Sequence, residues 1–258
     1  RVGLKDIAKE IDSPEAFTAK ILQQLSKNNI INSIKGPNGG FEINKKEMSK
    51  IKLSHIVMAI DVSGSMLAKD LKPNRMEALK EVAQNFVSDR PNDRIGLVVY
   101  ASEAYTKTPV TSDKAIILDA IKGVNYDRIL QDGTGIGMGL TTAVNRLKDS
   151  KAKSRIIILL TDGVNNNGFI DPDMAAEIAQ KFKIKVYTIG IGTNGMAEFP
   201  YAIAANGSFL FKMMPVEIDE KLLRRIANKT GGKYFRATSN SKLENIYNEI
   251  NKLETTEI

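Results

Sequence analysis

Apolar residues recur along this chain with two periods, and the alternation of those periods predicts the architecture. Ile56 to Ile60 and Ile156 to Leu160 are continuous apolar runs, the pattern of strands buried on both faces. Arg94 to Ala101 and Lys183 to Gly192, with Val186, Ile189 and Ile191 apolar, read as further strands. Between them the spacing turns helical. Pro73 to Arg90 carries Met76, Leu79, Val82, Ala83 and Phe86 on one face. Thr134 to Lys148 and Asp171 to Phe182 also read as helices, as do Val216 to Thr230 and Asn240 to Leu253 on either side of a short strand, Lys233 to Ala237. Strands alternating with helices imply an α/β fold, a doubly wound and mostly parallel sheet covered on both faces.

Two segments depart from the alternation. Between Gly192 and Glu217, an Asn206-Gly207 turn lies within Ala202 to Phe211, which predicts a projecting β-hairpin. Its Phe199, Tyr201, Phe209, Phe211, Met213 and Met214 form either a partner surface or packing onto the domain's own rim. The other segment is the beginning of the chain. Leu4 to Ala8 and a second helix opening at Ser13-Pro14-Glu15, with Phe17, Ile21, Leu22 and Leu25 on one face, read as a helix-turn-helix. Ile31 to Ile43, centred on Gly36-Pro37-Asn38-Gly39-Gly40, reads as a two-stranded wing. The expected division is a small partial winged module over residues 1–50 and an α/β domain over 51–258. Ile51 to Asp61 at the junction has apolar residues at helical spacing, yet Ile56 to Ile60 is also the first strand. Strand is expected, because the centre of a sheet removes more surface from water than one exposed helical face.

The candidate chemistry sits where apolar runs stop. Asp61-Val62-Ser63-Gly64-Ser65 offers a carboxylate and two hydroxyls at the end of a strand. Such a set suits a hard dication, Mg2+ first and Mn2+ or Ca2+ next. Taken alone, the same residues also suit an ordinary helix cap and turn. Asp132-Gly133-Thr134-Gly135 places a glycine-flanked threonine before a helix, its hydroxyl able to cap that helix or reach a metal, and Thr161-Asp162-Gly163 follows the second apolar run. Ligands in open α/β sheets collect outside the carboxyl ends of strands, so Asp61, Thr134 and Asp162 are expected to converge.

Asp-x-Ser-x-Ser, then the glycine-flanked threonine, then Thr-Asp-Gly, in this order, resemble the von Willebrand factor A domain with a complete metal-ion-dependent adhesion site, over residues 54–254. The stretches Asp93 to Tyr100 and Leu159 to Asn166 resemble the BatA-type bacterial proteins of the aerotolerance operon. The resemblance implies a Rossmann-like sheet with Asp61, Ser63, Ser65, Thr134 and Asp162 as the metal residues. It also implies a protein partner that supplies an acidic residue to the metal, with related A-domain proteins of the same operon among the candidates. Leu25 to Ile31 and Lys35 to Phe41 resemble the winged-helix repressor family that includes the iron-sulfur regulators IscR and NsrR. That likeness implies a second helix in the major groove and Ser13, Glu15, Ala16, Thr18, Lys20 and Lys35 facing DNA. The family's first helix would precede Arg1 and its long dimerisation helix would follow the wing, where the first apolar strand is expected instead, so any DNA binding is expected to be weak and without sequence preference. With no cysteine in the chain, an iron-sulfur cluster on cysteines is excluded.

Composition narrows the rest. The net charge of +7 is spread through mixed-sign helices rather than runs, which points to solvated faces more than to a nucleic-acid groove. No signal peptide and no apolar stretch long enough to span a bilayer is present, so the membrane anchors usual in BatA-type proteins would lie outside this sequence, and no location is assigned. A metal-dependent protein-binding module, not an enzyme, is the favoured reading. A DNA-binding regulator with the A domain as sensor is one alternative, and an Mg2+-dependent hydrolase using Asp132 as base is another. His55, at the opposite end of its strand from Asp61, does not suit a catalytic role.

Overall fold

A computed structural model describes residues 1–28, 30–36, 39–44, 54–126 and 132–256. The chain divides near residue 52 into two compact units. The first holds helices α1 (Leu4–Glu10) and α2 (Glu15–Lys27) and strands β1 (Ile31–Ile34) and β2 (Gly40–Ile43). The second begins with β3 (Ser54–Asp61), a 3-10 turn at Gly64–Leu67, α3 (Arg75–Ser88), β4 (Arg94–Tyr100), β5 (Ala104–Thr111) and α4 (Lys114–Lys122). It continues with α5 (Ile136–Leu147), β6 (Ser154–Thr161), α6 (Pro172–Lys181), β7 (Lys185–Ile191), β8 (Gly195–Ile203) and β9 (Phe209–Val216). It closes with α7 (Glu220–Lys229), β10 (Tyr234–Ala237) and α8 (Asn240–Thr256).

The doubly wound sheet expected from the apolar runs is present, in the order β10-β7-β6-β3-β4-β5. Every pair in it is parallel except β4 with β5. Because β3 is buried on both sides, its alternate side chains feed two cores. Ile56, Met58 and Ile60 pack with Met76, Leu79 and Phe86 of α3 and Leu243 and Tyr247 of α8. Val57 and Ala59 pack on the other face with Leu140 and Val144 of α5, Ala175 and Ala176 of α6 and Leu223 of α7. At the amino ends of the strands, buried Glu254 accepts hydrogen bonds from Ser154, Lys185 and Tyr187, which ties α8 to the sheet. The strand β5 and helix α4 were not anticipated. Ala104–Thr111 is an antiparallel edge strand, half-exposed and mostly polar, so it lacks the apolar run that marks its neighbours. Its register with β4 shifts just where Pro109 cannot donate to the ladder.

The chain reverses direction across the sheet between β3 and β6. From β3 it builds outward to β4 and β5; from β6 it builds the other way to β7 and β10. Asp61 and Asp162, at the ends of these two strands, therefore flank the crevice in which α/β sheets bind ligands. The expected hairpin is also present: β8 and β9 pair antiparallel around a turn closed from Ala204 N to Ser208 O, with Gly207 at a φ of +84°.

In the first unit the two helices and the β1-β2 wing form as expected, with Ile31 opposite Ile43. Pro37 and Asn38 of the wing tip and residues 45–53 of the junction lie outside the described residues. The inward face of α2 differs from the expectation. Thr18 and Leu22 are buried, one helical turn apart, whereas Phe17 is 59% exposed and Ile21 is exposed as well. A helix rotates about 100° per residue, so burying Thr18 and Leu22 turns Phe17 and Ile21 outward. Thr18, at 1% exposure, therefore does not face DNA. At the junction strand prevails: Ser54–Asp61 is β3, in register with both β4 and β6.

Ile158, fully buried in the middle of β6, tests the central core. Ile158→Ala is expected to destabilise the protein by about 3 kcal/mol, combining lost transfer energy with the cavity left behind. Denaturant unfolding should show this as a lower midpoint with an unchanged slope.

Candidate metal centre

Asp61 is the last residue of β3 and is fully buried. Beyond it the chain turns sharply. Asp61 Oδ1 accepts the Ser63 amide at 2.9 Å, and Oδ2 accepts the Thr161 hydroxyl from the end of β6 at 2.8 Å. The turn brings the Ser63 and Ser65 hydroxyls within 2.9 Å of each other, and the Ser65 hydroxyl donates to Asp162 Oδ1 at 2.7 Å. The four side chains form one connected cluster of oxygens at the crevice.

Thr134 lies on the α5 side of the crevice. Its hydroxyl lies 3.4 Å from where a Cβ on Gly163 would stand, which places it beside the turn that follows Asp162. The hydroxyl does not cap α5, whose N-cap is Gly135. The helix start is secured by Asn165 Oδ1, which accepts the Ile136 amide, and by Asn166 Oδ1, which accepts the Thr134 amide, both at 2.8 Å. The amides of Asn166 and Asn167 return to the Thr134 carbonyl. The run Asn165-Asn166-Asn167 therefore fixes the Thr134 backbone at the start of α5. It was legible as a polar run after Thr-Asp-Gly, but its bonding partners, residues apart in the chain, were not.

Two charged residues here were missed. Arg75, at the start of α3, is 1% exposed and gives Nη1 to Asp162 Oδ2 at 2.8 Å. It also pairs bidentately with Asp70, Nε to Oδ1 at 2.7 Å and Nη2 to Oδ2 at 2.8 Å. An arginine in the first turn of an amphipathic helix normally reads as solvent-facing, and nothing in the local pattern marks this one. Asp132 Oδ1 accepts the amides of Gly64 and Gly133, a turn-forming role. His55 meets the Ser150 hydroxyl at 2.7 Å on the far end of β3. Of the residues assigned to DNA in the first unit, Glu15, Ala16, Lys20 and Lys35 are exposed and Ser13 is half-buried.

Burial dominates the electrostatics. Desolvation, then the charge of Asp162, push the Asp61 carboxyl up to about 7, against hydrogen bonds from Ser63 and Thr161. Burial also raises Asp162, against the opposing pull of Arg75 and the Ser65 hydrogen bond. Two such carboxylates side by side favour a proton or a cation between them. The donors are all hard oxygens, and among the described residues no group of three or more His, Cys, Asp or Glu side chains assembles. The cluster thus fits a hard divalent ion held by few carboxylates and several hydroxyls.

A doubly wound sheet with Asp61, Ser63, Ser65 and Asp162 joined by hydrogen bonds at its switch point defines a class of α/β domain. The von Willebrand factor type A domain family matches residues 55–249, and the chain belongs to that family. The Rrf2 family, described as iron-dependent transcriptional regulators, matches residues 1–90. An uncharacterized protein of Borreliella burgdorferi is 32% identical over 220 residues, covering 84% of this chain and 64% of that protein. The chain spans about three-fifths of the length of the curated relatives it matches. Among solved structures, BatB from Bacteroides thetaiotaomicron is 29% identical with a TM-score of 0.67, covering 79% of this chain and 100% of that one. An aerotolerance-related membrane protein from Bacteroides fragilis is 28% identical with a TM-score of 0.64, covering 78% and 99%. Among the described residues of this chain, no helix is long and apolar enough to cross a membrane.

The raised carboxyl has a measurable consequence in the absence of metal. Between 3.8 and about 7, folded Asp61 keeps a proton that the unfolded chain has lost, so raising the pH favours unfolding. In chelator, stability is expected to fall across this window by about 1 kcal/mol per pH unit and to level off above it. Asp162 acts in the same direction. Unfolding midpoints measured from about pH 4 to 8 should show the slope in the native protein and lose most of it in Asp61→Asn.

Proposed function

We propose that residues 51–258 form a metal-dependent protein-binding module in which Asp61, Ser63, Ser65, Thr134 and Asp162 hold Mg2+, with Mn2+ or Ca2+ as substitutes. The observation that carries this reading is the pair of buried carboxylates, each raised by its surroundings, meshed with serine hydroxyls at the topological switch point. A bound dication supplies a Lewis-acidic positive charge for a carboxylate of the partner protein. Asp61 is fixed by Ser63 and Thr161, and Asp162 by Ser65 and Arg75, so the site is preorganised. An interaction role fits better than hydrolysis, because Asp132, the base a hydrolase would need, is engaged by two backbone amides.

Kinship to BatB and to the aerotolerance-related membrane protein supports a place in stress tolerance or in the assembly of a membrane complex, with related A-domain proteins as partners. Asp61→Ala is expected to abolish Mg2+ binding in calorimetry while the protein remains folded. Capture of an A-domain partner should be lost in excess EDTA and on replacing one acidic residue of that partner; metal binding undiminished in Asp61→Ala would refute the site.

A second reading concerns residues 1–50, which we propose to be a partial winged helix-turn-helix. It is supported by the match to the Rrf2 regulators and by the pairing of a helix-turn-helix with a wing. Exposed Glu15, Ala16, Lys20 and Lys35 would meet the phosphate backbone and groove edges. Weak, sequence-independent binding should follow, collapsing as salt rises because phosphate contacts supply nearly all of it. A titration of duplex DNA at two salt concentrations checks this, and a defined footprint at physiological salt would contradict it.

A further inference from the structure

The metal-centre reading leaves one buried charge to be explained. The Arg75 guanidinium is enclosed on several sides. Asp70 takes its Nε and Nη2, and Asp70 is itself fixed by the Thr193 amide at 2.7 Å and the Thr193 hydroxyl at 3.1 Å. Gly192, at a φ of +119°, passes so close that a Cβ there would stand 2.5 Å from Nη2. Asp70 takes two of the five guanidinium N–H donors as a planar fork and leaves those of Nη1 to be met elsewhere. A buried ion pair adds little stability by default, since desolvation offsets the attraction. The acceptor that meets buried Nη1 is Asp162 Oδ2 at 2.8 Å, which ties the guanidinium directly to the oxygen cluster.

We propose that Arg75 is a positioning residue of the metal centre that reserves Asp162 Oδ2, leaves Oδ1 as the only oxygen turned to Ser65, and offsets part of the negative charge presented to a cation. The proposal rests on the reading of Asp61, Ser63, Ser65, Thr134 and Asp162 as that centre. With Oδ2 committed to a fixed guanidinium, Asp162 cannot offer both oxygens to one ion. With a positive charge held beside it, the cluster binds a dication less tightly than its two carboxylates alone would. Less of the ion's charge is then neutralised by the chain, and more is left to attract an anionic side chain. Asp70 sets the strength of this effect, because it compensates the same guanidinium from the other side. Arg75 thus trades metal affinity for affinity toward an acidic partner.

The test uses Mn2+ as the metal and acetate as the anion, with calorimetry for the first and water-proton relaxation of the Mn2+-loaded protein for the second. Arg75→Gln should bind Mn2+ about tenfold more tightly and acetate more weakly. Asp70→Asn, which leaves the arginine uncompensated, should do the reverse, with Mn2+ weakened about tenfold and acetate strengthened. A purely structural brace would weaken Mn2+ in both variants, and that result, or no change in either, overturns the proposal. Should Arg75→Gln not fold, Asp70→Asn still decides: stronger acetate binding alongside weaker Mn2+ supports the role, and a fall in both removes it. Native protein that binds no Mn2+, or Asp61→Ala that binds it equally well, would instead overturn the metal centre itself. Loss in Asp61→Ala with Arg75→Gln unchanged leaves the centre standing and removes only the role of Arg75.

Discussion

The parallel pairing of β3 with β6 is the constraint on which the rest of the structure depends. It runs from Ser54 opposite Ser154 to Ile60 opposite Leu160, and so delivers Asp61 and Thr161-Asp162 to the same end of the sheet. Side chains along a strand alternate between faces, so a slip of one residue would carry Ile56, Met58 and Ile60 out of one core and into the other. The same slip would separate Asp61 from the Thr161 hydroxyl that holds it. Because both strands are apolar on both faces, the register is fixed by packing against two sets of helices at once. The candidate site inherits its precision from that packing.

The site works against the stability of the fold that carries it. Asp61 and Asp162 are buried side by side, and each is driven toward its neutral form by burial. Unfolding would relieve this. Part of the relief is built in. Arg75 lies against Asp162 and Asp70, and Asp70 reaches Thr193 beyond the end of β7. The crevice between β3 and β6 is thereby joined to the loop that leads into the β8-β9 hairpin, through bonds among buried or half-buried groups.

The two units show different relations between residues and structure. The larger one buries long apolar runs, and its elements agree with their local periodicity. Among its described residues the smaller one buries the apolar Ala8 and Leu22, and the face of α2 turns on a threonine. The stretch from 55 to 90 is claimed by both families, the regulators and the A domains. It folds as strand, turn and helix of the sheet domain, since Ile56 to Ile60 can be covered on two faces there.

Much of the fold was legible because a strand buried on both faces must be apolar throughout and a covering helix must be apolar on one side. Ile56 to Ile60, Ile156 to Leu160 and the Met76-Leu79-Phe86 stripe carry that requirement in the residues themselves. The candidate metal residues were legible for a similar reason: a turn of alternating carboxylate and hydroxyl at a strand end is a short-range pattern. Strand β5 was not, because an edge strand satisfies one neighbour and tolerates polar residues on its open side. Nor were Arg75, Asp70 and the three asparagines that set the geometry of the cluster. Their roles depend on partners far away in the chain, Arg75 on Asp162 and Asn166 on Thr134. The sequence by itself determined the buried strands, most of the helices and the candidate donor residues. Only the tertiary structure decided which charges face one another, because hydrogen bonds and ion pairs act over a few ångströms of space, whatever the separation along the chain.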